Sequence, residues 1–121
     1  MSNEKEVSIN SSDGHRRLMA ELFKCLANPV RLRILEKLRE HPWFVCELAE
    51  EIGVDKSIIS KYLYQMKQTG ILDFQKHGIQ VEYRLIAPCI TRLADCALEE
   101  VIANQNRLLD QPINSALCEQ Q

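Results

Sequence analysis

Residues 43–70 read WFVCELAEEIGVDKSIISKYLYQMKQTG, and residues 71–85 continue ILDFQKHGIQVEYRL. In the first stretch Val45, Leu48, Ala49 and Ile52 recur at helical spacing. Ile59, Leu63 and Met66 do the same further on, with Ile58 or Tyr62 at the edge of the stripe. Between the two stand Gly53, which can leave a helix in the left-handed conformation, and Asp55, a residue type that caps the next helix. The pattern predicts a helix from Phe44 to Ile52, a tight turn, and a second helix from Lys56 to about Thr69 that Gly70 stops. Ile71–Phe74 and Val81–Leu85 are rich in β-branched and aromatic residues and are joined through Lys76-His77-Gly78, which predicts a β-hairpin.

Working outward, Leu18, Leu22 and Leu26 share one face of a predicted first helix that opens at Ser12 or Asp13 and runs to about Ala27. Asn28-Pro29 then combines a cap with a first-turn proline, both helix-start signals. The helix that follows, Pro29 to Glu40, is expected to turn Val30, Ile34, Leu35 and Leu38 inward and Arg31, Arg33, Lys37 and Arg39 outward, and His41-Pro42 ends it. A last helix, about Pro88 to Leu109, lines up Ile90, Leu93, Ala97, Val101 and Leu108. Residues 1–11 read as a flexible arm, 12–109 as one domain and 110–121 as a polar tail. The fold class is mainly α with a small β-hairpin: a winged helix-turn-helix.

Positions 57, 60, 61 and 64 lie at i, i+3, i+4 and i+7 and so share one face of the helix starting at Lys56. They are Ser57, Ser60, Lys61 and Tyr64, with no large aliphatic among them. Ser and Lys can reach base edges or phosphates, and a Tyr hydroxyl suits a phosphate. Lys56 stands at the helix N-terminus, where free backbone N–H groups and the dipole favour an anion. Such a helix, braced by another and flanked by a hairpin, is shaped to enter the major groove of double-stranded DNA. Lys76, His77 and Gln80 near the hairpin tip could follow the backbone or reach the neighbouring minor groove, or form an ordinary exposed turn. Arg84 has Glu82 and Asp73 as competing partners.

Composition agrees with that class. At 121 residues, with 45% hydrophobic and 26% charged side chains, the chain suits one modest helical core. Net charge is −2, yet residues 55–84 hold five basic groups (Lys56, Lys61, Lys67, Lys76, Arg84) against three acids (Asp55, Asp73, Glu82). A locally basic module inside an acidic body suits reversible binding to phosphates. The start, MSNEKEVSINSSDG, has no apolar stretch of the signal-peptide kind and no run approaches transmembrane length, so a cytoplasmic protein without a membrane partner is expected. Five scattered cysteines, an odd count, fit a reducing compartment better than a disulfide framework.

From about Glu21 to Leu109 the chain resembles the ArsR family of small homodimeric winged-helix repressors. The stretches that carry the resemblance are LFKCLANPVRLRILEKL, CELAEEIGVDKSIISKYLYQMKQTGIL and QVEYRL. It implies DNA-facing roles for Lys56, Ser57, Ser60 and Lys61, in agreement with the helix face above, and a homodimer acting on an imperfectly palindromic operator. The residues point to the same pairing: Leu18, Leu22 and Phe23 in the first helix, with Leu93, Ala97, Leu98, Val101 and Ile102 in the last, form apolar faces too large for a small core to cover.

The family's sensor sites are not reproduced. Its arsenic-type site sits in a Cys-Val-Cys-Asp-Leu context, and this chain has Phe44-Val45-Cys46-Glu47-Leu48, with one thiol. Its cadmium- and lead-type variant draws on cysteines in the N-terminal arm, and residues 1–14 contain none. Its zinc-type positions correspond approximately to Ala87, Cys89, Glu100 and Ala103. The candidate sensor thiols are therefore Cys89 and Cys96, with Cys46 and Cys118 as auxiliaries, able to take a soft metalloid such as trivalent arsenic, or to react with sulfur or oxidant signals. No cofactor is required by this reading. Cys25 and Cys46 read as core residues, and His15, His41 and His77 as separate surface residues. No catalytic constellation is legible. The competing reading is a winged-helix protein–protein interaction module with no inducer, which calls for an apolar exposed face where Ser57, Ser60, Lys61 and Tyr64 stand.

Overall fold

A helix begins at Pro29 because Asn28 supplies its cap: the side-chain oxygen accepts from the backbone N–H of Val30 at 2.8 Å and of Arg31 at 3.2 Å. In the computed structural model, which describes residues 12–110, it is the second of five helices among those residues. The chain divides into two units, one ending at Pro88 and the other beginning at Cys89. The first holds α1 (Ser12–Leu26), α2 (Pro29–Glu40), β1 (Trp43–Phe44), α3 (Val45–Ile52), α4 (Lys56–Gln68), β2 (Leu72–His77) and β3 (Gln80–Leu85); the second holds α5 (Cys89–Leu109). The arm expected over 1–11 and, beyond Asp110, the tail expected over 110–121, with Cys118, lie outside the described residues.

The core of the first unit gathers the apolar stripes of α2, α3 and α4 over the start of β2 and the middle of β3. Ile34, Leu35 and Leu38 come from α2; Val45, Leu48, Ala49 and Ile52 from α3; Ile59, Leu63 and Met66 from α4; Ile71, Leu72 and Tyr83 complete it. Each large aliphatic taken out of water contributes roughly 1.5–3 kcal/mol. Val30, expected inward, is half-buried. Gly53 takes a φ of 80° and closes α3 by donating to the Ala49 carbonyl at 2.9 Å, the left-handed ending its position called for.

Three expectations need correction. Arg31 does not point outward: its guanidinium donates to the carbonyls of Lys24 (3.3 Å) and Cys25 (2.9 Å) and to Gln65 Oε1 (3.1 Å), and it lies 4.7 Å from the centre of the Tyr62 ring. Arg33 and Arg39 are exposed, as expected, though Arg33 also donates to the Ile52 carbonyl at 3.2 Å; Lys37, half-buried, pairs with Glu51 at 3.1 Å, so cations of α2 help tie α1, α3 and α4 together. Helical periodicity could place these side chains on a polar face but could not reveal the open carbonyls opposite them.

The second correction concerns the sheet, which has three antiparallel strands in the order β1-β3-β2. Phe44, expected to begin a helix, is extended (φ −75°, ψ 147°) and pairs with Glu82, while Trp43 pairs with Tyr83. Two residues are too few to show alternation, so the sequence carries no strand signal here. The third is the hairpin tip. β2 and β3 run on to the His77–Gln80 pair, leaving only Gly78-Ile79 as the turn. Gly78 has φ 68°, the left-handed first turn position that a two-residue hairpin of this hand requires. Gln75, Lys76 and His77 carry no apolar signal, so the extra pairs were illegible by pattern.

Burial, and secondarily the neighbouring Tyr64 phenol, pushes the Tyr83 hydroxyl above its ordinary value of 10.0. Below pH 10 both folded and unfolded chains hold this proton; as pH rises further the unfolded chain ionises first, so stability is lost. Urea midpoints between pH 8 and 11 should therefore fall more steeply for the wild type than for Tyr83→Phe. Asn28→Ala should cost about 1 kcal/mol of unfolding free energy through the lost cap, read from the same denaturant curves at neutral pH.

Candidate nucleic-acid interface

α4 is held from beneath by Ile59, Leu63 and Met66, each fully buried. A helix anchored along one stripe presents the opposite one to solvent, and Ser57, Lys61 and Tyr64 are exposed there, with Ser60 half-buried beside them. Ile58 joins this surface at 39% exposure, an apolar member that pattern reading left at the edge of the core. Asp55 occupies the cap position, as expected, but makes no side-chain cap hydrogen bond. Its carbonyl accepts from Ile58 and Ile59 at 3.0 and 3.1 Å, and its carboxylate leaves the positive end of α4 uncapped.

The wing meets that end of the helix. Lys56 and Ser60 of α4 line a concavity of about 240 Å³ together with Ile79, Gln80 and Val81 of the hairpin and Phe44, Val45 and Cys46. Three of the residues singled out for DNA, Lys56, Ser60 and Gln80, thus face one hollow. Lys76 is exposed on β2. His77 is engaged within the sheet: its Nε2 lies 3.2 Å from Glu82 Oε1 and its ring stands edge-on to Phe44, 5.6 Å between centres. Arg84 pairs with Asp73 at 3.2 Å, one of the two partners foreseen for it. At the tip Ile79 is fully exposed (101%). It falls in the connection expected between Phe74 and Val81, where a lone isoleucine carries no periodic signal, and the turn geometry lifts it clear.

The thiols do not all sit where expected. Cys46 is exposed and Cys25 is half-buried, so neither is a closed core residue. Cys46 stands in the first turn of α3 on the hollow just described, and Cys25 Sγ lies 3.5 Å from Thr69 Oγ1. Cys89 and Cys96 are exposed on α5. Among the described residues no cluster of three or more His, Cys, Asp or Glu could hold a metal ion within one chain. His15 and His41 are exposed; His41 stacks on Trp43 at 4.7 Å.

In α1, Leu18 (48%) and Phe23 (51%) are exposed and Leu22 is half-buried; no residue of that helix is buried. In α5, Leu93, Leu98, Val101 and Ile102 are 46–57% exposed and Ala97 is exposed as well. No helix among the described residues is long and apolar enough to cross a membrane.

Comparison with known proteins places this geometry. Residues 28–73, from the Asn28 cap through α4 to the start of β2, match the pattern described as "Bacterial regulatory protein, arsR family". The chain is 34% identical over 98 residues to the HTH-type transcriptional regulator Rv0081 of Mycobacterium tuberculosis, covering 78% of this chain and 86% of the relative. The crystal structure of Rv0081 superposes with a TM-score of 0.67 over 74% of this chain and 94% of the other. The arsenic resistance transcriptional regulator ArsR1 of Pseudomonas putida is 38% identical over 89 residues, 72% of this chain and 69% of that protein. The homodimeric winged helix-turn-helix DNA-binding domain Mb0332 of Mycobacterium bovis is 27% identical, with a TM-score of 0.65 over 79% of this chain and 87% of its own.

Proposed function

This chain belongs to the arsR family of bacterial regulatory proteins, and is thus a transcriptional regulator and not an enzyme; we propose that it is a cytoplasmic repressor that binds a palindromic double-stranded operator as a homodimer. The observation that carries the reading is the outer face of α4: Ser57, Lys61 and Tyr64 in solvent, backed by fully buried Ile59, Leu63 and Met66. In this reading α4 lies in the major groove, with Ser57, Ser60 and Lys61 toward base edges and Tyr64 on a phosphate. A phosphate sits at the uncapped N-terminus beside Lys56. The wing, with Lys76 and Gln80, runs along the adjacent backbone. His77 acts through its hold on Glu82 and Phe44, bracing the wing, more than by touching DNA.

The second copy is supported by the half-exposed rows Leu18 and Phe23 in α1 and Leu93, Leu98, Val101 and Ile102 in α5, an unusual amount of aliphatic surface to leave in water. Leu22 and Ala97 complete those rows. The Mycobacterium bovis neighbour is described as a homodimer. Two-fold symmetry would set the two α4 helices about 34 Å apart, one turn of B-DNA. For release of the operator, Cys89 and Cys96 are exposed thiols seven positions apart on one helix. About 10 Å of axial rise separates them, so one α5 does not chelate a single ion; thiols from two copies, or covalent modification, fit better. The effector class is a soft, thiol-reactive species: a metalloid such as arsenite, reactive sulfur or an oxidant, with Cys46 as an accessible auxiliary.

An operator selected from random duplexes gives the test. Binding should weaken steeply with salt, and Lys61→Ala should flatten the log–log slope by about one, with Ser60→Glu abolishing specific binding. Unchanged binding by both variants would remove α4 from the groove. For the effector, Cys89→Ser with Cys96→Ser should leave operator release by arsenite, persulfide and peroxide at least about tenfold weaker than in the wild type; equal responses would excuse those thiols.

A further inference from the structure

Ile79 stands at the hairpin tip in full contact with solvent, 101% exposed. No other large apolar side chain among the described residues exceeds 78%, and that one, Leu109, ends a helix. Such an aliphatic adds nothing to the stability of its own fold. The wing nevertheless holds it still. His77 pairs with Gln80 directly behind the turn, and β2 and β3 stay paired from there back to Leu72–Leu85. The His77 ring packs edge-on to Phe44 at 5.6 Å, and its Nε2 lies 3.2 Å from Glu82 Oε1. Gly78 carries no side chain, so the tip is narrow: two strands about 4.8 Å apart with one aliphatic group at the end. Its surroundings suit a polyanion. Residues 74–81 include Lys76 and His77 and no acid, and Glu82 just beyond them is half-buried against His77. A lipid or protein partner would call for an apolar patch, whereas the other exposed residues from Gln75 to Gln80 are polar or glycine. Ile79 and Gln80 also share the 240 Å³ hollow with Lys56 and Ser60, which makes the tip continuous with the end of α4 assigned to a phosphate.

We propose that Ile79 is an apolar wedge that enters the minor groove beside the major-groove segment occupied by α4 and opens a base step there. The proposal rests on the reading of α4 as the recognition helix. In that arrangement the hollow takes the intervening phosphodiester backbone between Lys56 and Gln80, and the tip emerges on its far side. The minor groove of B-DNA is about 6 Å wide, a slot suited to a tip with a single side chain. Ile79 has no hydrogen-bonding group, so it reads the deformability of the duplex and not its base edges. Its branched side chain presses between base pairs at a step that unstacks readily, TA or CA/TG. Each half-site thereby acquires a preference at a flank that Ser57, Ser60 and Lys61 do not touch.

The test repeats the selection from random duplexes with the full chain as wild type, Ile79→Ser and Ile79→Leu. The wild-type pool should be enriched in TA or CA/TG steps beside each half-site. With Ile79→Ser that enrichment should vanish while the half-site itself is retained, and affinity for the wild-type operator should fall about tenfold. Ile79→Leu should keep both. The salt slope should be the same for all three chains, since no phosphate contact is lost. The fluorescent base 2-aminopurine, placed at the enriched step, should brighten on binding the wild type and stay dim with Ile79→Ser. All three chains should share one urea midpoint, because the side chain lies in solvent. An unchanged flank preference or unchanged fluorescence with Ile79→Ser overturns the wedge, even where affinity falls. It leaves α4 in place if Lys61→Ala and Ser60→Glu still weaken binding. Failure of the wild type to select any duplex removes the α4 reading and the wedge together.

Discussion

Ile59, Leu63 and Met66 are held out of water along one stripe of a helix only thirteen residues long. A helix that short is marginal by itself, so α4 exists as a helix because α3 and the sheet cover that stripe. The constraint has a geometric corollary. Once three positions at this spacing are fixed inward, rotation about the helix axis is fixed too, and the polar stripe a half-turn away can face only outward. Stability and, on the proposed reading of α4, recognition are therefore two sides of one packing arrangement, and exchanging an inner side chain for a polar one would blur the outer surface without touching it.

The basic residues divide their labour in the same way. Arg31, Arg33 and Lys37 of α2 are taken up by carbonyls, an amide and a carboxylate inside the unit. Lys56 and Lys61 of α4 stand at the surface. On the proposed reading, a net charge of −2 is no obstacle to meeting a polyanion, since the cations assigned to it are gathered locally while Glu47, Glu50 and Glu51 of α3 cluster with Trp43 of β1 elsewhere. Long-range repulsion from that cluster is damped over roughly 10 Å at ordinary ionic strength.

How much of this was legible beforehand differed by kind of signal. The helices were readable because their apolar stripes repeat with the helical period, and every core position expected in α3 and α4 is buried. The exposed face of α4 followed from the same arithmetic. What could not be read were contacts between elements: that Arg31 reaches back to α1, that Phe44 joins a third strand, that His77 turns to Glu82. Each depends on a partner in another element, for which a single sequence carries no periodic mark. The cysteines show the limit plainly, since Cys46 and Cys25 read as core residues and only packing reveals that the first is exposed and the second half-buried.

The two-residue turn at Gly78-Ile79 fixes the pairing of β2 with β3 from His77–Gln80 back to Leu72–Leu85. Side chains on a strand alternate with a period of two. Were the loop to grow at the expense of pairing, one added residue in β3 would turn Tyr83 into solvent and carry Arg84 toward the core, whereas two would restore both. Related chains can thus vary the reach of this wing in paired increments, or by enlarging the loop alone, and a tip one residue longer marks either a bulge or a different hydrophobic interior.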